Sequence, residues 1–80
     1  IKSIIEYENY YEVPNEWLCP ISGDIMKDPV IISDGISYER AAIEDWFKRS
    51  HTSPMTGNVV NIDIIIPNIN LKQWIKRLTD

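Results

Sequence analysis

Eighty residues with one cysteine, one histidine and a net charge of −4 make one small domain at most. Such a chain buries only roughly 60% of its unfolded surface, yet it has no cysteine pair for a disulfide and too few Cys and His side chains for a tetrahedral zinc site. The acidic balance argues against a nucleic-acid partner, and no apolar run approaches the ~20 residues of a membrane span or makes a secretory leader.

The chain starts with isoleucine rather than methionine, as an excerpt of a longer protein would. Residues 1–16 carry Glu6, Glu8, Glu12 and Glu16 against Lys2 alone, with Tyr7, Tyr10 and Tyr11 among them. Residues 1–13 are expected to be an acidic extension or linker, or a helix docking on the domain or a partner. The folded domain is expected over 14–80. Heavy use of isoleucine over leucine fits AT-rich codon drift, which would suit a protist or a bacterial effector delivered into a host. A single cysteine fits a reducing compartment.

Glu16 to Asp24 holds Pro20 and Gly23 and reads as a loop anchored by Trp17 and Leu18, with Ile21 at its turn. Ile25 and Met26 are expected to be buried. From Pro29 an apolar β-branched run meets Asp34-Gly35, a tight-turn signal, and returns through Ile36 and Tyr38 as a hairpin. The period then changes: Ala42, Ile43, Trp46 and Phe47 share one face of a helix whose last turn is expected to hold Lys48 and Arg49. Ser50 to Asn58 is a second loop, in which His51 has no catalytic partner. Val59 to Ile66 could hold a short strand, a buried loop or both. The last helix is expected to start at Asn70, with Gln73 completing a capping box and Ile69 stapling against Trp74. Its apolar stripe is Leu71, Trp74, Ile75 and Leu78. No internal repeat, phosphate loop, EF-hand spacing or acid/base pair is apparent, so no catalytic centre and no cofactor or metal site is expected.

The ordered pieces Cys19-Pro20-Ile21-Ser22, Asp28-Pro29-Val30, Gly35-Ile36-Ser37-Tyr38-Glu39-Arg40, Ile43, Trp46, Ser53-Pro54-Met55-Thr56 and Pro67-Asn68-Ile69-Asn70-Leu71-Lys72 resemble a U-box domain over roughly residues 14 to 79. The resemblance implies a small α+β, RING-like fold: a β-hairpin, a central helix, two large loops and a C-terminal helix. A RING finger holds two zinc ions with cross-braced ligand pairs. Its spacing falls here on Cys19 and Ser22, on Asp34, Ile36, Glu39 and Ala42, and on Ser53 and Thr56, of which Ile36 and Ala42 cannot bind metal. The resemblance therefore implies a polar brace in place of metal, with Ser22 and Glu39 at one former site and Asp34, Ser53 and Thr56 at the other.

By the same resemblance the domain is a ubiquitin ligase, a transferase with no catalytic residue and no covalent ubiquitin intermediate. It would bind a ubiquitin-conjugating enzyme and promote transfer of ubiquitin from the thioester to the lysine of a substrate held by other parts of the parent protein. The conjugating enzyme would dock on Ile21, Trp46 and Pro54, with further contacts at Ser22, Gly23, Gly57 and Asn58. Two positions depart from the pattern. Gly23 stands where a larger apolar residue is common, and Gly57 where many active members carry an arginine. A non-catalytic U-box that only binds a substrate or partner is the alternative.

Overall fold

The structure, a computed structural model, describes residues 13–79. The expected N-terminal extension lies outside the described residues except for Val13, which is half-buried against the core. Pro14 brings the chain in extended, and Asn15–Trp17 make one 3₁₀ turn that buries Trp17.

Two strands and a helix form the centre. Strand β1 is Pro29–Ile32, β2 is Ser37–Glu39, and helix α1 is Arg40–Phe47. The β1–β2 turn closes with the Gly35 N–H donating to the Ile32 carbonyl, and Gly35 sits at φ +79°, where a side chain would be strained. The register sets Val30 opposite Tyr38. Both point inward with Ile32 and are fully buried, while Ile31 turns outward, as strand alternation requires.

Helix α1 lays Ile43 and Phe47, four residues apart, into the core, with Ala42 and Trp46 at the margin. It ends at Phe47. Lys48 is its C-cap and Arg49 lies beyond, so the expected basic last turn is not part of the helix.

Strand β3, Ile65–Pro67, pairs antiparallel with the free side of β1, giving the order β2-β1-β3. Of the ambiguous run Val59 to Ile66, only its end is therefore a named strand, and Ile64 and Ile66 are exposed. Helix α2, Ile69–Thr79, buries Leu71 and Ile75.

Its start differs from the expected one. The Asn68 side-chain oxygen accepts the Leu71 N–H at 3.1 Å, so Asn68 is the cap and Ile69 is already helical and exposed. The cap moves upstream because the Asn68 amide also donates to the Ser37 hydroxyl on β2, a bond that pins the helix start to the sheet. Trp74 stacks edge-on against buried Trp17, with ring centroids 5.3 Å apart, and stays 43% exposed.

Candidate functional site

The two loops are copies of one unit, although their sequences did not suggest a repeat. Residues 17–26 and 51–60 share one bonding pattern, each residue matching the one 34 positions on. Cys19 N–H donates to Asp24 O as Ser53 N–H does to Asn58 O, and Gly23 N–H to Cys19 O as Gly57 N–H does to Ser53 O. The Ser22 hydroxyl accepts the Asp24 N–H as the Thr56 hydroxyl accepts that of Asn58. Isolated bridges close both units, Leu18 with Ile25 and Thr52 with Val59, and Met26 and Val60 then donate to the carbonyls of Trp17 and His51.

The physical requirement is the same in both. A Pro opens a single helical turn, a left-handed Gly ends it, and a hydroxyl caps the exit. Gly23 and Gly57 both have φ +79°, and a Cβ on either would meet nothing within 4 Å. The lack of a side chain there is thus a backbone matter, not a steric one.

The turns present apolar tips. Ile21 is 37% exposed and its counterpart Met55 57% exposed. Pro54 is half-buried. Met55 was absent from the expected contacts, and aligning the chain on itself at this offset is the signal that would have found it.

Acidic side chains hold both units to the hairpin and α1. Glu39 receives the N–H groups of Lys27 and Asp28 at 2.7 and 2.8 Å. Its own N–H donates to the buried Cys19 sulfur at 3.3 Å. Ser22, expected at the same former site, caps its own turn, its hydroxyl accepting the Asp24 N–H at 3.2 Å. Arg40 completes the junction: its N–H reaches the Asp28 carbonyl and its Nε the Asp28 carboxylate at 2.8 Å. The Asp28 bond holds the Arg40 pKa above its ordinary value.

Asp34 braces the second unit. Its carboxylate accepts the Ile36 N–H at 2.8 Å and the hydroxyls of Tyr38 and Ser53, each at 2.7 Å. The Ser53 oxygen in turn accepts the N–H groups of Met55 and Thr56. Thr56, expected as a direct member, joins only through its backbone; its hydroxyl stays within the turn. Tyr38 was missed, because nothing in the sequence says that an inward tyrosine ends beside Asp34. Burial pushes its phenol up to about 12; the Ser53 hydroxyl opposes that and the Asp34 carboxylate adds to it.

Helix α1 therefore runs from one unit to the other. Its N-terminal end is bonded to Cys19 through the Glu39 N–H. About 10 Å further along, at a rise of about 1.5 Å per residue, the half-buried Trp46 donates its indole N–H to the Thr52 carbonyl at 2.7 Å. The Arg49 guanidinium lies 5.9 Å from the Trp46 ring centroid and bonds Asp45 at 3.2 Å. Trp46 and the second loop are thus joined directly, whereas Ile21 stands at the tip of the other unit. A separate groove of about 830 Å³ runs past Leu18, Pro20, Ile36, Met55, Leu71 and Trp74. It takes in Gly23 but not Ile21, Trp46 or Pro54. Among the described residues no group of His, Cys, Asp and Glu is placed to hold a metal ion, and no helix is long and apolar enough to cross a membrane.

The chain is similar to known proteins in sequence and in fold. A family model described as the U-box domain matches residues 13–79. A human WD repeat, SAM and U-box domain-containing protein 1 is 50% identical over 66 residues, covering 81% of this chain and 14% of that protein. The E3 ubiquitin-protein ligase PUB22 of Arabidopsis thaliana is 45% identical over 67 residues, covering 81% and 15%. Among solved structures, the RING finger-like domain of Retinoblastoma Binding Protein-6 matches with a TM-score of 0.75 and 36% identity, covering 82% of this chain and 76% of that one. The chain thus spans about a seventh of the length of these curated relatives.

Proposed function

The chain belongs to the U-box family and is a domain of ubiquitin-ligase type; from that premise we propose that it docks a ubiquitin-conjugating enzyme on Ile21, Trp46 and Pro54 and promotes discharge of its ubiquitin thioester. The observation that carries this reading is the pair of like turns, each with an apolar tip, held at the two ends of one helix whose half-buried Trp46 reaches the second turn. Ser22, Gly23, Gly57 and Asn58 flank these residues in the same turns, exposed and free to touch the partner.

The chemistry belongs to the conjugating enzyme. A neutral lysine amine of the substrate attacks the thioester carbonyl, an amide bond forms as the carbon–sulfur bond breaks, the cysteine leaves as thiolate, and the proton shed by the nitrogen passes to solvent. The domain brings substrate and thioester together and favours the reactive arrangement of the loaded enzyme by binding it better. A contact of a few apolar side chains is at the small end of interfaces, so binding is transient. Substrate is held by other parts of the parent protein, in the cytosol of a eukaryotic cell.

A binding-only role is the second reading. Gly57 favours it: at this position the second turn offers neither the charge nor the reach of an arginine, only the neighbouring Asn58 amide. Autoubiquitination with a panel of conjugating enzymes separates the two. Ligase function predicts chains with at least one enzyme and their loss in Ile21→Ala and Trp46→Ala, each with an unchanged circular dichroism spectrum. Full activity in both variants would refute the docking residues. No chains with any enzyme, alongside measurable substrate binding, would establish the second reading.

A further inference from the structure

Trp46 makes a bond that a simple contact residue would not need. Its indole N–H donates to the Thr52 carbonyl at 2.7 Å. Its own carbonyl accepts the N–H groups of Arg49 and Ser50, both at 2.9 Å. One residue thus closes the link from α1 to the second turn at both ends. Two features keep that link short: the Ser50 and Thr52 hydroxyls bond each other at 2.7 Å, and Arg49 lies against the indole ring. The next residue, Ser53, is tied elsewhere, by its hydroxyl to Asp34. Adjacent residues of the second unit are therefore fastened to two different elements, Thr52 to the helix and Ser53 to the hairpin turn. Without the indole bond the unit would hang on the Ser53 tether, the Ser50–Thr52 hydroxyl bond and its own internal bonds.

We propose that Trp46 is a positioning residue for the second turn as well as a contact, its N–H setting where Pro54 and Met55 stand against the conjugating enzyme. This deepens the docking reading and rests on it. The geometry suits both jobs at once, because an indole N–H bonds in the plane of the ring while apolar contact is made with the ring's faces. The bond also fixes the ring's rotation, so that the aromatic face and the Pro54 turn are presented as one rigid unit. Preorganisation of this kind lowers the ordering cost that binding would otherwise carry.

The test removes the donor and keeps the ring. Total synthesis of the domain allows Trp46 to be replaced by β-(3-benzothienyl)alanine, in which sulfur stands for the N–H, while Trp17 and Trp74 stay unchanged. Two quantities are read: amide exchange at Gly57 and Val60, and the Kd for the conjugating enzyme selected in the panel. Loss of one ordinary hydrogen bond predicts about fivefold faster exchange at both amides and a Kd about fivefold weaker, while core amides such as Val30, which open with the whole domain, quicken by no more than that factor. An analogue whose Kd or second-turn exchange matches the natural domain overturns the proposal. Ile21→Ala, which does not touch the bond, keeps the two ideas apart. If it loses binding while the analogue keeps it, only the positioning role fails. If Ile21→Ala binds like the natural domain, the docking reading fails and the proposal falls with it, whatever the exchange rates show.

Discussion

Asp34→Ala tests how far a polar brace supports this fold. The substitution removes the acceptor for three donors, Ile36 N–H, Tyr38 O–H and Ser53 O–H. The first can turn to water, because Ile36 is half-buried. The other two belong to residues only 0% and 2% exposed. Each loses a bond to a charged acceptor, worth ~1.5–3 kcal/mol, with no water to replace it. The expected loss is about 3–5 kcal/mol, against about 3–10 kcal/mol for the total stability of a domain this size. At roughly 4–8 °C per kcal/mol, the thermal midpoint should fall by at least about 12 °C. Asp34→Asn should fall between, since its amide oxygen can accept but its NH₂ faces a second donor. A double-mutant cycle with Ser53→Ala should give a coupling of about 1–2 kcal/mol, because the two single changes break the same bond. Calorimetric melts of the four proteins decide it. A midpoint drop under about 4 °C for Asp34→Ala, or effects that simply add, would refute the brace.

Stability should also fall in alkali. The folded pKa of Tyr38, about 12, stands above the ordinary phenol value of 10.0, so the folded state holds a proton that the unfolded state releases. The stabilisation is complete below pH 10 and is lost as pH rises from 10 through 12, by about 2–3 kcal/mol; Tyr38→Phe should remove this part of the slope in denaturant titrations. A chelator should leave the thermal midpoint unchanged, because the positions at RING spacing include Ile36 and Ala42, which cannot ligate metal; a drop in midpoint would contradict the polar brace. Gly57→Arg should act in two directions. It puts a side chain at φ +79°, into open space, lowering stability by about 1–2 kcal/mol, while supplying the long, charged donor the second turn lacks, so thioester discharge should quicken in a single-turnover assay.

Much of the frame was legible because it rests on local rules. Asp34-Gly35 announces its turn, and the change of period after Tyr38 announces α1. Ile43 and Phe47 are where helical spacing puts them. What escaped depends on partners distant in sequence. Asn68 and Asn70 are equally good caps by composition, and only the bond from Asn68 to Ser37 selects between them. Glu39 and Asp34 were singled out, but their bonding partners were not all foreseeable. Backbone N–H groups at Lys27 and Asp28 carry no side-chain signature, and Tyr38 reads simply as an inward strand residue. The indole bond of Trp46 was hidden for the same reason, since its acceptor is a main-chain carbonyl.

The twofold use of one turn makes the chain its own reference. Comparing each position with its counterpart 34 residues on separates what the turn demands from what its surroundings demand. Pro20 and Pro54, Gly23 and Gly57, and Ser22 and Thr56 stay alike in kind because the backbone path needs them. Cys19 and Ser53 differ because their neighbours do. Cys19 meets a main-chain N–H, for which a sulfur acceptor suffices, while Ser53 meets a carboxylate and must donate. Ile21 and Met55 differ at the tips, where no other part of the domain dictates shape. Agreement between the two copies thus marks what the turn itself demands, and variation marks what each copy answers to outside it: a neighbour within the domain at buried Cys19 and Ser53, and the surroundings of the domain at the exposed tips Ile21 and Met55.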